Sequence, residues 1–142
     1  MKHPRFAWLV AWSAVLCPIW AGCGGSTKEA VPAKGRLLHA GQPLQVQGME
    51  AFAGMVQVEF YRIGPDGKLS DVPETAVADR DGYFDIGARG LAPGKYRIAV
   101  RQWDPYPEVD KLEGKFDASH SPIVREITGK EDILIDLSKP EG

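Results

Sequence analysis

Three aspartates, Asp79, Asp81 and Asp85, crowd into the stretch "DRDGYFD", and clustered carboxylates are the ligands calcium prefers. Calcium takes about six to eight oxygens from a loop long enough to wrap it, and this stretch is short and lacks a later bidentate acid. The same residues read as a tight turn whose acids solvate it, so no metal is expected. His39 and His120 stand in separate segments, without a cysteine or a second histidine at zinc spacing. Ser119, His120 and Ser121 are neighbours in "ASHSP", but a nucleophile and its base are brought together by folding, and adjacency carries no catalytic expectation. Aromatic chemistry is better represented. The segment 102–122, "QWDPYPEVDKLEGKFDASHSP", carries Trp103, Tyr106 and Phe116 among the polar Asp104, Asp110 and Lys111. Exposed on a loop, those rings suit a carbohydrate or a peptide; folded back, Trp103 and Phe116 cover the end of a core. Both readings stay open. Pro105 and Pro107 stiffen either course.

The remaining reactive candidate is a thiol. In "VLCPIWAGCGGSTKEA", residues 15–30, a strongly apolar run stops at Cys23 and gives way to glycine, serine and charge. Lys2, His3 and Arg5 make a basic start, Phe6 to Cys17 is almost wholly apolar, and the small Ala21 and Gly22 precede Cys23. That order describes a secretory signal over 1–22, and the apolar run falls short of the ~20 residues a spanning helix needs. Trp20-Ala21-Gly22-Cys23 resembles the lipobox of bacterial lipoproteins, with Trp20 where leucine is usual. Cys17 fits less well, because Leu16 is bulky for the residue before a cut. The resemblance implies cleavage before Cys23, a diacylglycerol on its thiol and further acylation by a fatty acid such as palmitate. Membrane lipid is then the first partner, and the domain faces the periplasm or the exterior from the cell membrane or the outer membrane. Gly24 stands where an inner-membrane retention signal would place aspartate.

Composition agrees with a single exported domain. The 142 residues carry 17 basic and 19 acidic side chains; without Lys2 and Arg5, 15 basic residues face 19 acidic ones, a formal charge of −4. No basic run is present, so nucleic acid is not an expected partner. With Cys23 the one cysteine after the cut, the fold has no internal disulfide and stands on its core. No cofactor is suggested. Residues 23–30 read as a flexible tether and 31–142 as the domain.

Within the domain, apolar residues alternate at period two between Gly, Pro and Asp clusters, an all-β pattern. "MVQVEFYRI", 55–63, sends Val56, Val58 and Phe60 to one face and Gln57, Glu59 and Tyr61 to the other. Strands are expected around Arg36–His39 before a turn at Ala40-Gly41, at Glu74–Ala78, at Phe84–Ile86 after an Asp81-Gly82 hairpin, and after a type II turn at Pro93-Gly94. Tyr96, Ile98 and Val100 then point inward, Ile123–Ile127 is short and mixed, and Ile133, Ile135 and Leu137 share a face. "VQGMEAFAG", 46–54, reads as a capping loop. About seven strands suggest a two-sheet sandwich, with a barrel as the rival.

"KGRLLHAGQPL", "VQVEFYRIGPDG", "AVADRDGYFDIGARGLAPGKYRIAV" and "ILIDL" together resemble the carboxypeptidase-regulatory-like, or transthyretin-like (prealbumin-like), seven-stranded Greek-key β-sandwich, as found in small lipoproteins of the planctomycete type. The resemblance covers most of 31–137 and implies a fold rather than an activity. One transthyretin-fold enzyme, hydroxyisourate hydrolase, ends in Tyr-Arg-Gly-Ser, whereas this chain ends "LSKPEG". The expected protein is therefore a non-catalytic, membrane-anchored binding or structural module of the cell envelope. Its rivals are an accessory subunit docking a larger envelope protein and, further off, a hydrolase.

Overall fold

Period-two alternation sets successive side chains on opposite faces of a strand, and where it is strongest the chain builds its longest strands. A computed structural model describes residues 29–44 and 54–140. The signal segment, Cys23, the tether as far as residue 28 and nearly all of the 46–54 insertion lie outside the described residues. The strands are β1 (Lys34–His39), β2 (Gln42–Pro43), β3 (Met55–Arg62), β4 (Glu74–Ala78), β5 (Tyr83–Asp85), β6 (Gly94–Trp103), β7 (Val124–Ile127) and β8 (Ile133–Asp136), with a 3-10 turn at Gly87–Arg89.

They form two sheets, a sandwich rather than a barrel. One is antiparallel throughout, in the order β4-β3-β6-β7. In the other, β1 is central: β8 runs parallel to it on one side, while β5 and β2 share its other side along the first and last parts of its length. Val56, Val58, Phe60, Tyr96, Ile98 and Val100 face inward from the first sheet and meet Leu37, Phe84, Ile133, Ile135 and Leu137, as the alternation predicts. Phe60 lies 6.0 Å from Phe84 across the core and 6.5 Å from Tyr96 beside it, both angled rather than stacked. Gly35 lets β1 approach closely. A β-carbon there would collide with the Ile133 carbonyl and the Phe84 ring.

Two expected turns differ. Asp81-Gly82 does turn the chain, but its flanking strands enter different sheets, β4 beside β3 and β5 beside β1. The Leu37 N–H takes the Gly82 carbonyl (2.8 Å), so the chain leaving the turn is drawn onto β1 rather than back along β4. Pro93-Gly94 is not the centre of a type II turn. Gly94 has φ 155°, far from the ~80° such a turn needs, and already pairs with Ile127 as the first residue of β6.

The 102–122 segment is an irregular continuation of the sheet edge. β7 pairs only Gly94–Arg97 of the long β6. Beyond it, Ile98 N–H reaches Ile123 C=O, Val100 N–H reaches Phe116 C=O (2.9 Å each), and Lys111 N–H reaches Gln102 C=O (2.7 Å). Buried backbone groups must be paired, and here single bonds from a non-repeating chain do what a strand would. Asp104–Pro105 and Tyr106–Pro107 are both cis.

Candidate functional site

The outward face of β3 and β6 carries a connected set of polar and aromatic side chains. Register places Met55, Gln57, Glu59 and Tyr61 of β3 opposite Trp103, Arg101, Ala99 and Arg97 of β6. Trp103 Nε1–H donates to Gln57 Oε1 (3.0 Å), Gln57 Nε2–H donates to Glu59 Oε1 (3.0 Å), and the Tyr61 hydroxyl donates to Glu59 Oε2 (3.0 Å). Arg101 completes the set, its Nε 3.9 Å from Glu59 Oε2 and its guanidinium 5.6 Å from the Trp103 ring centre. Glu59 is only 8% exposed although it points away from the core, because these neighbours roof it. A carboxylate so enclosed is tolerable only with its oxygens occupied. Tyr61 has its hydroxyl pKa raised, first by burial and then by its bond to Glu59. Arg97 Nη1 donates to Ala118 O (3.3 Å), and its Nε is buried with no partner among the described residues.

The three aromatic residues of 102–122 separate. Tyr106 is 49% exposed and meets Trp103 edge-to-face, the centroids 6.1 Å apart. Trp103 is half-buried and pinned through its indole N–H. Phe116, at 2% exposure, belongs to the core and leaves the set of surface contacts, because the bond from Val100 N–H to its carbonyl draws it inward. The site is thus Trp103 at the end of β6 and Tyr106 in the turn just beyond it, backed by Gln57, Glu59, Tyr61 and Arg101. The alternation put Gln57, Glu59 and Tyr61 outward; their linkage to Trp103 depends on the β3–β6 register, which pairs residues 46 apart.

The other candidates are held elsewhere. His39 ends β1 in one sheet, while His120 lies beside Asp117 along the edge of the other, its Nδ1 2.9 Å from Asp117 Oδ1. Asp79 Oδ1 accepts the N–H groups of Asp81 and Tyr83 (2.9 Å each), and Asp85 Oδ1 accepts that of Gly87 (2.7 Å). Among the described residues no group of three His, Cys, Asp or Glu could hold a metal ion. The same stapling recurs. Asp110 accepts from Gln102, Leu112 and Gly114, and Asp117 from Ser119 and His120. Asp136 ties the Ala40-Gly41 turn and Ser138 to the end of β8. Bonds from Ser138, then from Gly41 and Ala40, hold the Asp136 carboxyl down at about 2. The Asp117 carboxyl is likewise lowered, chiefly by the His120 N–H. Shallow clefts lie away from Trp103: about 220 Å3 between β7 and β8 by Ile127 and Leu134, about 320 Å3 by Lys34 and Lys130, and about 250 Å3 beside β4 by Val72, Glu74 and Tyr96.

Fold and site together define an all-β, two-sheet sandwich that presents an ordered aromatic and polar sheet face. No family model, curated protein or solved structure matches the chain. No helix among the described residues is long and apolar enough to cross a membrane.

Proposed function

We propose that the chain is a lipid-anchored protein of the cell envelope, tethered through acylated Cys23, whose sandwich is a non-catalytic binding module of the transthyretin-like, carboxypeptidase-regulatory-like kind. The observation that carries the binding role is the Trp103–Tyr106 pair, half-open to solvent and fixed to β3 through the indole–Gln57 bond. The polar groups behind it are already committed to one another, so a ligand meets ring faces and edges rather than a buried charge. That chemistry favours a saccharide ring or an extended peptide over a small ion. For the fold, the eight strands among the described residues become seven when the two-residue β2 is set aside, and the quoted motifs include residues of β1, β3, β4, β5, β6 and β8. For the anchor, support comes from the basic start, the short apolar run and the small residues before Cys23.

Trp8, Trp12 and Trp20 all precede Cys23, so the processed chain has Trp103 as its one tryptophan. Its emission then reports the site alone. Titration with soluble envelope glycans and with extended peptides is expected to shift Trp103 emission, and Tyr106→Ala is expected to abolish the shift without unfolding the protein. Emission that stays unchanged across both ligand classes sinks the binding role. Mass spectrometry of the N-terminal peptide tests the anchor separately: an acylated Cys23 is expected, and an unmodified chain retaining Met1 refutes it.

A further inference from the structure

β4 is the outer strand of its sheet, and among the described residues nothing covers its edge. Glu74-Thr75-Ala76-Val77-Ala78 contains no lysine, proline or bulge, the devices that usually blunt such edges. The register shows which backbone groups point outward. Ile98 and Val100 give their N–H groups to Ile123 and Phe116, so even residues of β6 face away from β3 and odd ones face it. Through the pairs Glu59–Ala99 and Val58–Ala76, the even residues of β3 then bond Glu74, Ala76 and Ala78. Thr75 and Val77 therefore aim their N–H and C=O groups away from the sheet, and among the described residues these four groups have no partner. The free stretch has sharp ends. Pro73 has no N–H, and Asp79 has already given its own to Tyr83 O (2.8 Å).

Two copies of this edge complete each other. Rotation about a two-fold axis through Ala76 brings Thr75 N–H to the Val77 carbonyl of the second copy and Val77 N–H to its Thr75 carbonyl. Symmetry repeats both bonds, and every free group is used. Thr75 then lies beside Val77 of the second copy on the outer face, covering a valine that is 52% exposed. Ala76 meets Ala76, and Glu74 faces Ala78, so no like charges are opposed along the ladder. Glu74 is moreover balanced by Arg89 in its own chain (3.8 Å). The edge of β8 lacks this match, because its Asp136 carbonyl already accepts Lys139 N–H (3.0 Å).

We infer that the chain pairs with a second copy of itself through β4, merging two four-stranded sheets into one of eight strands. A two-fold axis perpendicular to the sheet leaves both Trp103 faces on the same side. Five residues from each copy fall short of the ~1,200 Å2 buried by a stable soluble pair, so occupancy rises when both chains share a membrane. That last step rests on the Cys23 anchor proposed above; the edge match does not.

The test replaces Val77 with a photo-crosslinking residue in the full chain, using an equal mixture of light and isotopically heavy protein. Irradiation is done on vesicle-reconstituted chain and, separately, on concentrated Cys23→Ser chain in detergent. Light-to-heavy products joined within 73–77 of the second copy are expected in both. Thr75→Pro removes an outward N–H that the monomer does not use, and should cut the product about tenfold or more while circular dichroism stays unchanged. Val77→Lys, followed by sedimentation, is the second variant should Thr75→Pro misfold, and should leave monomer. Products confined within one chain, products joined to other surfaces, a yield indifferent to Thr75→Pro, or sedimentation that Val77→Lys leaves unchanged overturn the pairing. Product in the concentrated Cys23→Ser chain together with an unacylated natural protein refutes the anchor and upholds the edge.

Discussion

Phe116→Ala should be the most damaging change in the 102–122 segment. The ring is 2% exposed, and its backbone is fixed where Val100 N–H meets the Phe116 carbonyl. A buried aromatic side chain removes roughly 150 to 250 Å2 from water, and at ~25 cal/mol per Å2 the lower figure gives about 4 kcal/mol. Measured core truncations of phenylalanine fall in the same range, about 3–5 kcal/mol, because the cavity adds to the lost transfer energy. Lys115, with Nζ 5.2 Å from the ring centre, stays in place and restores little. Urea unfolding of the processed protein, followed by Trp103 emission, reads the effect. With a slope of about 2 kcal/mol per molar, the midpoint should drop by about 2 M. Tyr106→Ala is the internal comparison: the ring is 49% exposed and loses mainly its edge contact with Trp103, so its loss should stay below about 1 kcal/mol. Equal midpoints for the two variants would show that 102–122 does not close the core, and the assignment of its rings would fail.

Three further outcomes are expected. Because the Asp136 carboxyl is held at about 2 in the folded chain, below its ordinary 3.8, its stabilisation is complete above the unfolded value and is lost as pH falls through about 2. Asp136→Asn should therefore flatten the acid limb of stability between pH 4 and 2, read by denaturation at fixed pH; an unchanged limb refutes the staple. Glu59→Ala strands the donors of Gln57, Tyr61 and Arg101 and should cost about 2 kcal/mol, with a change in Trp103 emission as the indole–Gln57 bond loosens. Gly35→Ala forces a methyl group into the Ile133 carbonyl and the Phe84 ring and should cost about 3 kcal/mol in thermal unfolding, whereas a neutral result would mean that β1 and β8 do not pack this closely.

The strands with a clean inside and outside were legible in the sequence. Val56, Val58 and Phe60, then Tyr96, Ile98 and Val100, declare a buried face because period two is a local property. Pairing is not local. Nothing near Leu37 announces that its N–H will capture Gly82 and carry β5 into the other sheet, so the Asp81-Gly82 turn looked like a hairpin. The 102–122 segment hid its role for the same reason. Its bonds to β6 are single and unevenly spaced, so no periodicity marks Phe116 as core and Tyr106 as surface. Trp103 and Tyr106 could be picked out by residue type, but the support from Gln57 and Glu59 required the β3–β6 register.

The aspartate staples give the chain's acidity a different meaning. Asp79, Asp85, Asp110, Asp117 and Asp136 each spend carboxylate oxygens on backbone N–H groups at bends, and the whole sequence contains no asparagine to share that work. Those five carboxylates are thus wiring rather than a lure for cations. At Asp117 and Asp136, where such bonds hold the carboxyl below its ordinary value, only strong acid would protonate it and release those two corners while the apolar middle stayed put.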